Sequence, residues 1–317
     1  MGTSWPTAVA RRLFGSPQRA SPPLVVWMHI AATFLMRFVP VGLAHWLVGL
    51  ATPLVAPIFA PGHVRHASAN MRQVLGPSAD PRQVRRLTLA AFKNYARYMV
   101  DLVRLASVDP RELVKDVHVD GWEHVDTAYA HGRGVVVVGG HVGSWDLGAA
   151  VWVARGMGVS TLAERLEPPE WDARVQRIRE RIGMRAIPVD ASPRAMLQPL
   201  RQGEALAVLV DKPLRGDDGI PVTFFGRTAR VPAGAATLAL RAGAAILPAV
   251  LVRRPHAGGY VAHFGEPFLT TPGRRHTPEE VQALMQRIMT WLEGVVRRYP
   301  DQWYMFRPMW GDSPSPA

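Results

Sequence analysis

The sequence predicts an α/β fold with a largely parallel central sheet flanked by helices, and an apolar helical segment ahead of it. Three observations carry this. From residue 117 short apolar runs alternate with amphipathic stretches. One such run, Val135 to Val138, closes in Gly139-Gly140, which reads as a core strand and its exit turn. Near the start, an apolar stretch beginning at Leu24 contains Arg37 and then no Asp, Glu, Lys or Arg until Arg65.

Taken in order, residues 1–23 read as a flexible basic lead-in. Residues 24–62 are long enough to span a bilayer, but Pro40, Pro53, Pro57 and Pro61 break them up, and Trp27 and Trp46 suit an interface. A helical hairpin or re-entrant segment lying in the membrane face is expected; an ordinary buried helix pair is the alternative. A cleaved signal peptide is not expected, because the stretch is too long and no small-residue cleavage site follows. Over 80–106, Val84, Leu87, Ala91, Tyr95, Tyr98, Leu102 and Leu105 recur at helical spacing opposite a basic face. Strands follow at 135–138, 159–163, 186–189, 205–210, 223–225, 245–252 and 260–264. Helices are predicted at 145–155, 171–182, 194–201, 232–242 and 277–298, the last opened by Thr277 before Pro278 and Glu279. One domain is expected over 63–310, then a loose tail over 311–317.

Composition narrows the chemistry. Cysteine is absent, which excludes disulfides, thiol nucleophiles and Cys-type zinc sites. The net charge is +12, with arginine far ahead of lysine. Such a balance favours phosphate-bearing partners: an anionic membrane surface, coenzyme A or an acidic carrier protein. No zinc-finger, KH or RRM signature supports nucleic acid. His63 and His66 form an isolated H-x-x-H without carboxylates in register, so no metal is expected.

The chemistry centres on His141, offered where a strand ends, with Asp146 five residues on. Open α/β sheets usually keep their sites at such strand ends. A carboxylate that accepts from one ring nitrogen makes the other a better base, and Asp146 is the expected partner. Gly139, Gly140 and Gly143 are expected to let the backbone approach a substrate. Ser144 is a poor nucleophile: an elbow needs glycines two residues either side, and Val142 and Asp146 stand there. Taken alone, His141 reads equally well as a hydrogen-bonded turn residue.

The spacing His-x-x-x-x-Asp is that of the glycerolipid acyltransferase superfamily. GHVGSWDLGAA, LAERLEPPEWDARVQRIRERIGM, LVDKPLRGDDGIPVTFFGRTARVPAGAATLALRAGAAILPAV and YPDQWYMFRPMW together resemble the bacterial lipid A late acyltransferase family. Within it, AERLEP is most similar to the actinobacterial phosphatidylinositol mannoside acyltransferases. The resemblance covers roughly residues 25–310.

It implies transfer of a fatty acyl chain from acyl-CoA or acyl carrier protein to a hydroxyl of a membrane glycolipid, with no cofactor. His141 would be the general base and Asp146 its orienter, with direct attack on the thioester. Glu164 would assist the histidine or meet the acceptor. Gly143, Ser144 and Trp145 would border the substrate, the first two offering backbone amides to the oxyanion. Arg165, Asp211, Lys212 and Arg215 would hold headgroup or donor phosphates; the superfamily often has glutamate where this chain has Asp211. A monomer at the cytoplasmic face of the plasma membrane is expected. The rivals are a lysophospholipid acyltransferase and a noncatalytic lipid-binding protein.

Overall fold

Helices form where apolar residues recur at helical spacing, and strands where short β-branched runs end in glycine or a turn. The computed structural model describes residues 39–310 apart from 106–108, 116, 215–217, 255–258 and 272–275. The lead-in over 1–23, the apolar segment up to residue 38, Arg215 and the tail over 311–317 lie outside the described residues.

Pro40 and Pro61 stand at helix starts, but Pro53 and Pro57 do not break the apolar segment as the sequence suggests. Helix α1 (Val41–Phe59) runs through Pro53 and Pro57, and Pro61 opens the next helix, α2 (Pro61–Leu75). An internal proline costs about 3 kcal/mol in an isolated helix. Here packing offsets that cost. Helix α1 lies along α3 (Pro81–Leu105), with Gly49 tight against Lys93 and Arg97, and Ala56 clustered with Phe92. His45 adds a polar pin, 2.8 Å from Asp101 of α3. The other side of α1 presents Leu43, Trp46, Leu50, Leu54, Ile58 and Phe59 to the surroundings. By length and composition this helix is able to cross a membrane.

After α4 (Pro110–Val114), the chain builds β1 (Val117–Asp120), α5 (Trp122–Ala130), β2 (Val135–Gly139), α6 (Trp145–Ala154), β3 (Val159–Ala163), α7 (Pro169–Arg181), β4 (Met184–Pro188), α8 (Pro193–Arg201) and β5 (Ala205–Leu209). A hairpin follows, β6 (Ile220–Phe224) and β7 (Arg227–Val231), then α9 (Gly234–Ala242), β8 (Ala245–Arg253), β9 (Tyr260–Phe264) and α10 (Pro278–Arg298). The seven-stranded sheet has the order β1-β9-β8-β2-β5-β3-β4, parallel throughout except between β8 and β9.

Successive residues of a strand face opposite sides, and β2 does this cleanly. Val136 and Val138 join the layer formed by α8, α9, α10 and the hairpin; Val135 joins the layer of α3, α5, α6 and α7. Leu284, Met285, Ile288 and Leu292 of α10 are buried in the first layer, each contributing about 1.5–3 kcal/mol. The capping box at Thr277 and Glu280 starts α10 as its sequence predicts. Phe224 and Phe225 are core side chains.

Sequence reading finds only 223–225 of the hairpin. Its turn residues, Phe225 and Gly226, both have positive φ (50° and 73°), and a phenylalanine there carries no turn signal. Tertiary bonds hold it instead: the Phe225 amide donates to Glu293 and its carbonyl accepts from Gln73.

At Gly143, φ is 66° and a Cβ would lie 1.9 Å from the Leu251 carbonyl oxygen. Gly143→Ala is therefore expected to cost about 3 kcal/mol or more, read as a fall in unfolding free energy in urea. A loss below about 1 kcal/mol would show that this loop relaxes freely.

Candidate active site

The centre of the site follows from strand register. In the parallel pair β2–β5, Gly139 is level with Leu209. Two residues beyond each of these come His141 and Asp211, so the register sets them side by side. His141 Nδ1 lies 2.7 Å from Asp211 Oδ1. The His141 backbone N–H also donates to both Asp211 oxygens, at 3.0 and 2.9 Å, and Trp303 Nε1 donates to Oδ2 at 2.9 Å. Asp211 is fully buried, so these donors are what permit its charge.

The pair tunes the imidazole. Burial is the largest influence on His141 and pulls its pKa down, but the Asp211 charge and hydrogen bond, with help from Glu164, outweigh it and hold the pKa above the ordinary value. For Asp211, burial pushes up, while the imidazole and the donors around it win and hold the carboxyl below its usual range. The ring of His141, about one-third exposed (36%), faces a cleft of about 410 Å³.

Asp146, the partner expected from spacing, does not meet the His141 ring. It lies in the first turn of α6, 1% exposed, where Oδ2 accepts from the Tyr98 hydroxyl at 2.6 Å and Oδ1 from Arg179 Nε at 2.9 Å. The helix turns this carboxylate toward α3 and α7, so it joins helices instead of orienting the histidine. Asp211, expected to hold phosphates, has the orienting position instead.

The glycines also act differently from expectation. The Gly143 amide donates to the Gln302 carbonyl and the Ser144 amide to the Leu251 carbonyl, at 2.9 and 2.8 Å, so neither is free for an oxyanion. Ser144 is buried. A Cβ on Gly140 would meet Asp211 Oδ2 at 2.9 Å, and one on Gly139 the Ala249 carbonyl oxygen at 2.7 Å. These glycines admit the protein's own groups. Trp145 does border the cleft, edge-on to His141 with ring centroids 5.4 Å apart. Glu164 and Lys212 line it as an ion pair. Arg165 is exposed and stands outside the cleft lining.

Residues 302–307 complete the site; in the sequence they carry only the family likeness. Tyr304 N–H donates to the His141 carbonyl at 2.8 Å, Val142 bridges Trp303, and Gln302 clamps both backbone groups of Arg253 at 2.8 Å. Tyr304 and Arg307 line the cleft. The tryptophan-rich ending was a usable signal. Tyr98 was legible only as a core position, and Arg179 carried no signal of its own.

A second, apolar cavity continues from the first, sharing Trp145, Val208 and Leu209 with it and running between α6 and the sheet past Gly148, Trp152 and Phe264.

Among known proteins, residues 15–311 match the model of the family described as bacterial lipid A biosynthesis acyltransferase. The chain is 30% identical over 283 residues to the phosphatidylinositol mannoside acyltransferase of Mycolicibacterium smegmatis, spanning 87% of this chain and 88% of that protein. It is 29% identical over 250 residues to the phosphatidylinositol mannoside acyltransferase of Mycobacterium tuberculosis, spanning 76% of this chain and 75% of that one.

The two aspartates separate experimentally. Asp211→Asn removes the charge that raises the His141 pKa, so the ring is expected to titrate at lower pH by NMR, while Asp146→Asn leaves that titration in place. Asp146→Asn instead strands the buried Arg179 charge and is expected to cost about 3 kcal/mol in denaturant unfolding. Equal titrations for the wild type and Asp211→Asn would refute the pairing.

Proposed function

The chain belongs to the bacterial lipid A biosynthesis acyltransferase family and is an acyltransferase acting between an acyl donor and a lipid acceptor; from that premise we propose that it moves a fatty acyl chain from acyl-CoA or acyl carrier protein to a hydroxyl of a membrane phosphoglycolipid. The observation that carries this reading is the 2.7 Å contact between His141 Nδ1 and buried Asp211, with the imidazole lining the cleft.

Asp211 accepts from Nδ1–H, which leaves Nε2 as the basic nitrogen. Nε2 takes the proton of the acceptor hydroxyl as its oxygen attacks the thioester carbonyl. The tetrahedral intermediate collapses by breaking the C–S bond, and the imidazolium returns the proton to the departing thiolate. The products are an ester and free thiol, so no cofactor is called for. Ser144, buried with its amide engaged, favours direct attack over an acyl-enzyme. Glu164 and Lys212 contact the acceptor headgroup, and the apolar cavity beyond Trp145 takes the donor's chain. Tyr98, Asp146 and Arg179 are positioning residues that hold α6 against α3 and α7.

The exposed face of α1 suits the bilayer boundary. The enzyme works as a monomer on the cytoplasmic leaflet, where thioester donors are made, and its positive charge favours an anionic surface.

His141→Ala is expected to lower transfer from acyl-CoA to a glycolipid at least about a thousandfold, followed as acylated product by mass spectrometry. Near-normal turnover would end this mechanism. In the wild type, kcat/KM is expected to rise with pH through a pKa above the ordinary histidine value, since the neutral ring is the base. Asp211→Asn is expected to be slow and to shift that rise to lower pH. Replacing Trp46, Leu50, Leu54 and Ile58 with glutamine is expected to weaken vesicle binding at least about tenfold in flotation, while turnover on detergent-dispersed acceptor persists. Unchanged flotation would argue against membrane contact through α1.

A further inference from the structure

Among the described residues, each lysine or arginine lining the cleft but one has a carboxylate partner. Lys212 is paired with Glu164, and Arg179 with Asp146. Arg307 is the exception. It is half-buried beside His141, and its guanidinium makes no hydrogen bond or ion pair among the described residues. Burial pushes its pKa below the ordinary value, which the charge of Glu164 only opposes. A guanidinium in this setting is costly unless an anion completes it.

Its position is fixed from behind. Asn70 of α2, almost fully buried, donates to the Met305 carbonyl at 2.8 Å and the Arg307 carbonyl at 2.7 Å, and accepts from the Met309 amide at 3.1 Å. Phe306 stacks on Phe92 at 4.1 Å and packs into the cluster containing Ala56 of α1. Arg307 therefore sits between the end of the exposed apolar helix and the base His141.

Resting on the acyltransferase reading above, we infer that Arg307 is the binding site for the phosphodiester of the lipid acceptor, held ready by Asn70. The planar fork of arginine matches two phosphate oxygens. The donor thioester also carries phosphates, but the geometry favours the acceptor. A lipid whose tails lie along α1 enters the cleft past Phe306, which sets its phosphodiester against Arg307 and its sugar hydroxyls toward His141. An anion on Arg307 has a second effect. The guanidinium charge depresses the His141 pKa, so neutralising it makes the base stronger when the acceptor is seated.

The test uses full-length protein in detergent and three probes: dihexanoyl-phosphatidylinositol, a short-chain glucosyl diacylglycerol without phosphate, and coenzyme A. Calorimetric titration of the wild type, Arg307→Gln and Arg307→Lys is compared, with melting curves to check folding. Arg307→Gln is expected to bind the phosphate lipid roughly ten- to a hundredfold more weakly. Its affinities for the phosphate-free lipid and for coenzyme A should stay put. Arg307→Lys, which keeps the charge and loses the fork, should fall between, and decides the matter if Arg307→Gln melts early. The inference is overturned if the phosphate lipid fails to bind the wild type, binds all three proteins equally, or if coenzyme A affinity falls instead. Turnover by the wild type tests the proposed reaction separately, so the isotherms judge Arg307 whether or not turnover appears.

Discussion

A carboxylate with no access to water must be met by donors from the protein, and the structure around Asp211 is organised by that demand. Its oxygens are reached from two directions: by the backbone and ring of His141 at the end of β2, and by Trp303 from the C-terminal segment. Each donor then constrains something else. The His141 amide reaches Asp211 only because Gly140 has no side chain to collide with it. Trp303 arrives because its segment bridges Val142 and because Tyr304 bonds the His141 carbonyl. The carboxylate, the imidazole and the segment after α10 thus form one unit. A charge this well solvated by fixed dipoles holds its partner ring in a single tautomer.

The second buried aspartate shows how environment assigns roles. Asp146 and Asp211 are both close to His141 in the chain or in space, and both are almost wholly buried. One meets an imidazole that faces a cleft. The other meets Tyr98 and Arg179, a phenol and a guanidinium that join three helices. The Asp146 pair neutralises charge inside the scaffold; the Asp211 pair directs a titratable nitrogen outward. A network around Asp101 has a similar joining role. It takes His45 from α1, Arg253 from the end of β8 and Tyr260 from β9, and so ties the apolar helix to the sheet. Through it, and through the packing of Phe306 near Ala56, the orientation of α1 is linked to that of the cleft.

Much of the architecture was legible from the chain alone. Period and punctuation located the strands that end in Gly139 and Leu209, the helix opened by Thr277, and the strand-end histidine. These depend on local physics: side-chain period, capping and the conformational freedom of glycine. The resemblance identified the family, because it draws on many short stretches at once. Absence of cysteine and of a serine elbow narrowed the chemistry in the same way, from residue types alone.

Which carboxylate serves His141 was decided by the tertiary structure. Spacing along the chain favours Asp146, five residues away, over Asp211, seventy away. The sheet reverses that order, because β2 and β5 are neighbours in register, while α6 turns Asp146 toward other helices. The same holds for the continuity of α1 through Pro53 and Pro57, the engaged amides of Gly143 and Ser144, and the placement of Arg307 beside His141. Sequence determines which local conformations are cheap and which surfaces must be buried. Which polar group meets which is settled by the packing of distant elements, because hydrogen bonds act over a few ångströms of space and not along the chain.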